Sequence, residues 1–226
     1  MSETTVQLPV PEPKELVLDP RHAAVLIVDL ENEFMYPNGL SYLGARAERI
    51  LGNVAELLDK ARAVGVPVIY SRSVREADDA EFTVFKRKRH LLRGGWGAEF
   101  SDEVAPRPGD PIVEKRSHDC FNGTEMEATL ARLGVRPCTH TVIVTGVGIN
   151  VCVTCAADGL SVRDYWVAMP MDCVAGGNEL VELLTFQHFM HPAWAYNVAL
   201  TRSDRIEFRP GAGAPTRAEL AVGSVR

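Results

Sequence analysis

Two long apolar runs most restrict what this chain can fold into. Residues 23–30 (AAVLIVDL) are apolar except for Asp29, and residues 141–147 (TVIVTGV) are rich in Val and Ile, with only Thr and Gly between them. Such runs are typical of strands buried on both faces, as in a parallel sheet covered by helices. Shorter runs are also interpreted as strands, at residues 66–70, 111–114, 166–171 and 193–200.

Between these runs, apolar residues recur at three- and four-residue spacing, which is the period of a helix with one buried face. The clearest case is residues 44–64, a pattern that ends at Gly65. The other predicted helices are at residues 123–133, 151–162 and 179–190. Strands that alternate with helices predict an α/β fold, with three α-β-α layers around a central, mainly parallel sheet.

Residues 71–111 have no clean period and carry many charges, so we expect a long excursion with room for one short helix. Excursions of this length usually form functional lids or walls. The 226 residues fit a single domain, with a core at about residues 20–200 and peripheral tails.

The charge balance argues against two classes of partner. Lys and Arg number 24 against 30 Asp and Glu, a net charge of −6, so no basic excess favours nucleic acid or an anionic membrane. No apolar run approaches a membrane span, and the first residues lack the pattern of an export signal, which predicts a cytoplasmic protein. The five cysteines are therefore expected to be reduced thiols.

Three chemically active residues follow different predicted strands. Asp29 closes one strand, Lys115 directly follows another, and Cys152 comes shortly after residues 141–147. In parallel sheets covered by helices, ligands bind beyond the carboxyl ends of the strands. We therefore expect these three side chains to lie close together at a binding site.

The chemistry of these residues suits cleavage of an amide. Cys152 would be the nucleophile, near a helix start whose dipole, together with Lys115, lowers the pKa of a thiol. Asp29 would take the thiol proton and pass it to the departing nitrogen. Gly146 and Gly148 would let backbone N–H groups face a tetrahedral oxyanion, and each such donor is worth roughly 3–4 kcal/mol of barrier.

The motifs around these residues resemble those of the isochorismatase-like cysteine hydrolase superfamily. Asp29 lies in IVDLENEF, Lys115 in PGDPIVEKRSHDCFNGT and Cys152 in VTGVGINVCV. These match the family patterns D-x-Q-N-x-F, P-x-x-G-D followed by K and F-x-G-T, and T-G-V-x-x-x-x-C-V, in family order over about residues 23–176.

The resemblance implies a six-stranded parallel sheet and a catalytic triad of Asp29, Lys115 and Cys152. It also implies a cis peptide between Val147 and Gly148, and an oxyanion hole formed by the backbone N–H groups of Gly148 and Cys152. Family members hydrolyse nicotinamide, N-carbamoylsarcosine, biuret, ureidoacrylate, maleamate or isochorismate, commonly as dimers or tetramers, so a homo-oligomer acting on a small molecule is expected. The candidates for substrate contact are Phe34, Trp96, Phe121, Ile149 and His191.

Departures from the family pattern narrow the expected reaction. Glu31 replaces the usual Gln, and residues 71–81 lack the histidine of the nicotinamidase metal site, so we expect no metal and no cofactor. The isochorismatases that cleave an enol ether generally lack the cysteine, so Cys152 favours cleavage of a C–N bond. Residues 85–110 are similar in outline to ureidoacrylate and biuret hydrolases, which favours a ureide or carbamoyl substrate.

Other interpretations of the same residues stay open. Cys152 and Cys155 form a C-x-x-C after a strand, as in a redox dithiol. A nicotinamidase- or isochorismatase-type activity on the same fold is a second alternative, and a non-catalytic interaction protein is a third. The run KRKR at residues 86–89 favours a solvated face, although on the excursion it would also meet an anionic substrate or a neighbouring subunit. His118 is interpreted as structural, and Cys120 as a weaker candidate nucleophile.

Overall fold

A computed structural model describes residues 8–212 and places a sheet of eight strands at the centre of the molecule. The strands are β1 (Lys14–Leu18), β2 (Ala23–Val28), β3 (Val68–Ser73), β4 (Ile112–Lys115), β5 (Thr141–Val147), β6 (Trp166–Pro170), β7 (Val174–Ala175) and β8 (Val198–Phe208). Their order is β1-β8-β6-β5-β2-β3-β4, the short β7 also pairs with β5, and each of these pairs is parallel.

The two apolar runs form the centre of this sheet. Strand β2 lies between β5 and β3, β5 lies between β6 and β2, and all residues of both strands are buried. Along β2, Val25 and Ile27 pack into one core cluster, whereas Leu26 and Val28 pack into the other. Side chains of a strand alternate between the two faces of its sheet, so each face has its own apolar core.

Helices cover both faces of the sheet, which gives the three layers that the sequence predicts. They are α1 (Asn32–Met35), α2 (Ala45–Ala63), α3 (Ala80–Thr83), α4 (Met126–Arg132), α5 (Thr154–Ser161) and α6 (Glu179–Met190). The predicted apolar face of α2 is buried, and α6 has the predicted bounds, with the Asn178 side chain accepting a hydrogen bond from the Val181 N–H at its start. Helix α3 is the single α-helix within residues 71–111.

The described residues also correct several details. The sheet has eight strands rather than six, because β1 and β7 were not expected. The last strand, expected at residues 193–200, is β8, which begins at Val198 and extends through the mostly polar residues 201–208. The helix expected from residue 151 begins as a π-helical turn at Ile149–Val153. No helix among residues 8–212 is both long and apolar enough to cross a bilayer.

Candidate active site

The carboxyl ends of four adjacent strands, β5, β2, β3 and β4, lie side by side at one edge of the sheet. Asp29 directly follows β2, Ser73 and Lys115 are the last residues of β3 and β4, and Cys152 lies in the π-helical turn after β5. Ser73 and Lys115 are register partners across β3 and β4. The parallel register therefore brings Asp29, Lys115 and Cys152 together, as the strand-end argument expects.

Lys115 is the centre of the cluster. Its Nζ donates to Asp29 Oδ2 at 2.8 Å and to Ser73 Oγ at 2.8 Å, and it lies 3.4 Å from Cys152 Sγ. The Ser117 carbonyl accepts a further hydrogen bond at 3.2 Å. Burial lowers the pKa of Lys115, but the opposite charge of Asp29 and the hydrogen bond to its carboxylate raise this pKa, and the net shift is upward. The buried ammonium group therefore stays charged and ties the three side chains together.

Asp29 is held in an uncommon backbone conformation. Its φ is +53°, in the left-handed region, while its N–H donates to Ser71 O at 3.0 Å. Carboxylate oxygen Oδ2 accepts from Lys115 and, at 3.2 Å, from Ser73 Oγ. The other oxygen, Oδ1, is buried and accepts no hydrogen bond from the described part of the chain. This carboxylate therefore keeps one acceptor available beside the thiol.

Gly146 allows β5 to approach the end of β2. Its φ is +121°, and a Cβ at this position would lie 1.9 Å from the Val28 carbonyl oxygen. Only glycine fits there, since any side chain would collide with backbone. The two strands that carry Asp29 and Cys152 at their ends can therefore pack side by side.

The thiol of Cys152 does not have the lowered pKa that the sequence predicts. Burial and the nearby Asp29 carboxylate raise the pKa of Cys152, and together they outweigh the opposing effect of Lys115. The residue also lies inside the π-helical turn, where the N–H groups of Val151 and Val153 donate to Gly148 O. At rest the sulfur is therefore protonated, and it needs a base to become a nucleophile.

A cavity of about 260 Å³ opens above this cluster. Asp29, Ser73, Gly148 and Cys152 line it, and His118 Nδ1 lies 3.6 Å from Cys152 Sγ. Burial and Lys115 lower the pKa of His118, so its imidazole is neutral near pH 7. His118, for which the sequence favoured a structural role, thus contacts the sulfur at the cavity wall. Ser73 had no distinguishing signal in the sequence.

The five substrate-contact candidates lie in different surroundings. Phe34 lines the cavity, but the other four are not among its lining residues. Ile149 and Phe121 are buried in the core, Phe121 beneath the Arg163 guanidinium at 4.2 Å. Trp96 is 44% exposed and packs near Tyr36, and His191 caps the end of α6. Residues that contribute to the wall without having been predicted are Ser41, Leu43, Arg75, His90, Leu91, Asn150, Val151 and Gly177.

The expected cis peptide between Val147 and Gly148 is absent, because all peptide bonds of residues 8–212 are trans. Gly148 nevertheless lines the cavity. The expected oxyanion-hole residues, Gly148 and Cys152, therefore both border the cavity.

The cysteines differ sharply in their access to the cavity. All five are unpaired thiols. Cys120 is fully buried, burial raises its pKa to about 12, and neither Cys120 nor Cys155 lines the cavity.

Within residues 8–212, no group of three or more His, Cys, Asp or Glu side chains is arranged to hold a metal ion.

Comparison with known proteins identifies the family. The sequence model of the isochorismatase domain matches residues 23–192. Ureidoacrylate amidohydrolase RutB from Rhizobium rhizogenes is 30% identical over 172 residues, which cover 66% of this chain and 68% of that protein. N-carbamoylsarcosine amidase from Thermoplasma acidophilum is 27% identical, with a TM-score of 0.68 over 80% of this chain and 96% of that one.

A cysteine hydrolase from Pseudomonas syringae pv. phaseolicola shares the fold, with a TM-score of 0.73 and 24% identity over 89% of this chain and 95% of that chain. The family match covers well over half of the sequence and includes the strand ends that carry Asp29, Lys115 and Cys152. The chain therefore belongs to the isochorismatase family of hydrolases.

Proposed function

We propose that this protein is an amidohydrolase that cleaves a C–N bond in a small amide, ureide or carbamoyl compound, with Cys152 as its nucleophile. One observation carries the proposal. The sulfur of Cys152 lies 3.4 Å from a buried ammonium group that also holds the Asp29 carboxylate at 2.8 Å, on the wall of a cavity. A thiol, a base and a fixed cation at one open position are what nucleophilic acyl transfer requires.

The reaction begins with transfer of the thiol proton to Asp29, because the raised pKa of Cys152 keeps the sulfur protonated at rest. The sulfur then attacks the carbonyl carbon, and the C=O π electrons move to the oxygen. Backbone N–H groups of Gly148 and Cys152 stabilise this oxyanion. Collapse of the intermediate breaks the C–N bond, and the departing nitrogen takes the proton from Asp29. A thioester on Cys152 remains.

Hydrolysis of the thioester repeats the same proton transfers with water in place of the thiol. Asp29 accepts a proton from water, whose oxygen attacks the thioester carbon and displaces the sulfur. The leaving thiolate recovers its proton from Asp29. Lys115 does not exchange a proton in this scheme, because its raised pKa keeps it charged, and it stabilises the thiolate by its positive charge.

The relatives support the coarser part of this proposal. Two of them bear the names ureidoacrylate amidohydrolase and N-carbamoylsarcosine amidase, at 30% and 27% identity. A carbamoyl or ureide substrate for this chain is consistent with both names and with the small cavity. The cytoplasmic location and the homo-oligomeric state stay predictions, and light scattering on the purified protein tests the second.

The test is an ammonia-release screen over ureides, carbamoyl acids and simple amides, run with the wild type, Cys152→Ala and Cys155→Ala. We expect Cys152→Ala to lose at least about a thousandfold in kcat/KM on any compound the wild type hydrolyses. Cys155→Ala, the matched control one helical turn away, should stay within a few-fold of the wild type. Activity that survives in Cys152→Ala would rule out the nucleophile, and equal loss in both variants would favour the redox dithiol.

A further inference from the structure

One wall of the cavity carries an excess of positive charge. The guanidinium groups of Arg75 and Arg87 line it. Asp29 is the one acidic side chain among the lining residues, and it already pairs with the Lys115 ammonium at 2.8 Å. The carboxylate of Asp29 is therefore not available to compensate the charge of the two arginines.

Glu81 compensates only half of that charge. Its Oε1 contacts Arg75 Nε, and its Oε2 accepts a hydrogen bond from Arg87 Nη1 at 3.0 Å. The neighbouring carboxylate of Asp79 pairs with Arg116 instead. One carboxylate shared by two guanidinium groups leaves one positive charge at the edge of the cavity.

Arg87, rather than Arg75, has N–H donors that an incoming anion can reach. Arg75 is 8% exposed, and its guanidinium also donates to the carbonyl of Val74 at 3.1 Å. The Arg87 side chain is 60% exposed, and Glu81 is its single acidic partner within the described residues. A guanidinium has five N–H donors in a planar fork, which matches a carboxylate, so Arg87 keeps donors for an incoming anion.

The backbone fixes where Arg87 is presented. Lys86 and Leu91 have φ values of +57° and +51°, so the chain turns sharply on both sides of residues 87–90. The Arg75 N–H donates to Leu91 O at 2.8 Å, which ties the end of this segment to the residues that follow β3. Of the basic run at residues 86–89, only Arg87 lines the cavity, while Lys86, Lys88 and Arg89 are exposed.

We propose that Arg87 binds a carboxylate of the substrate while the scissile carbonyl faces Cys152, so that the preferred substrates are carbamoyl, ureido or amide acids rather than neutral amides. The cavity of about 260 Å³ is smaller than most pockets that hold drug-sized ligands, which agrees with a short acid. This inference rests on the proposed function only for the position of the scissile bond. The anion site itself is a property of Arg87 and the cavity.

The test compares two alkylating probes of nearly equal size, iodoacetate and iodoacetamide, of which only the first is an anion. In both reactions, Cys152 gives up its thiol proton to Asp29 or water, and the sulfur then displaces iodide and forms a C–S bond. Rates at Cys152 are followed by mass spectrometry of its peptide in the wild type, Arg87→Gln and Arg89→Gln. Arg89→Gln is the matched control, because it removes the same charge from the same segment without touching the cavity wall.

We expect the ratio of the iodoacetate rate to the iodoacetamide rate to fall about tenfold in Arg87→Gln and to change less than twofold in Arg89→Gln. An unchanged iodoacetamide rate shows that the Arg87→Gln cavity is intact. Equal falls in both variants, or no fall in Arg87→Gln, would overturn the inference.

This result is independent of hydrolysis. Suppose that the iodoacetate-to-iodoacetamide ratio falls in Arg87→Gln while amide hydrolysis survives in Cys152→Ala. The anion site would then stand, and the proposed nucleophile would be rejected. Suppose instead that this ratio is unchanged in Arg87→Gln while hydrolysis is lost in Cys152→Ala. The anion site would then be rejected, and the proposed function would stand.

Discussion

Replacing Glu31 with glutamine should make the protein more stable at neutral and alkaline pH. Glu31 is fully buried, and neither of its carboxylate oxygens makes a hydrogen bond of ordinary geometry with the described residues. Burial and the charge of Asp29 raise the pKa of Glu31 well above its ordinary value of 4.5, although Lys115 and Arg72 oppose the shift. The folded protein therefore favours the neutral form of this carboxyl group, which has nearly the shape of a glutamine side chain.

The sign and size of the effect follow from proton linkage. Above pH 4.5 the unfolded chain releases the Glu31 proton while the folded chain retains it, so stability falls as pH rises until the folded pKa is reached. The slope is at most about 1.4 kcal/mol per pH unit, which gives an upper limit of about 3.5 kcal/mol between pH 4.5 and 7. Glutamine cannot ionise, so Glu31→Gln removes this loss.

Urea denaturation of the wild type and Glu31→Gln at a series of pH values from 4 to 8 measures the effect. The two proteins should be similarly stable near pH 4, and Glu31→Gln should become progressively more stable as pH rises. Glu56→Gln, an exposed change on α2, is the control for loss of one negative charge. A constant difference between wild type and Glu31→Gln across this range would refute the reasoning.

Three further predictions concern the same edge of the sheet. Asp29→Asn should reduce kcat/KM at least a thousandfold with the fold retained, because the thiol proton loses its acceptor; a near-normal rate from pH 6 to 9 would exclude Asp29 as the base. Ser73→Ala removes a 2.8 Å hydrogen bond from the buried ammonium group of Lys115, so kcat should fall about tenfold. KM should stay nearly constant, and a change in KM alone would contradict this role. Gly146→Ala should destabilise the protein by more than about 3 kcal/mol in urea denaturation, since its Cβ would meet the Val28 carbonyl, whereas Gly52→Ala on α2 has open space and should be neutral or stabilising.

Local patterns in the sequence predicted much of the fold. Strand β5 has the predicted bounds, because its Val, Ile and Thr residues favour a strand and its apolar side chains need burial on both faces, which a central strand provides. Helix α6 also has its predicted bounds, with Asn178 as the capping residue at its start. Both signals are carried by residues adjacent in the chain and need no knowledge of the partner elements.

The edges of the sheet were harder to predict. Strand β1 and the second half of β8 pair with each other at one side of the sheet, where one face of a strand stays near solvent. Their alternating buried and exposed residues resemble a polar tail more than a buried strand. They become strands because each pairs with a distant segment, and the sequence of neither segment alone predicts that pairing.

The candidate site divides in the same way. Strand ends and motifs in the sequence were enough to select Asp29, Lys115 and Cys152, because parallel strands end at a common edge. Only tertiary structure decided that Ser73 joins them and that Arg87 alone of its basic run reaches the cavity. Only tertiary structure, likewise, set the direction of the Cys152 pKa shift. A pKa depends on burial and on the distances to all nearby charges, and those quantities exist only after residues far apart in the chain have packed together.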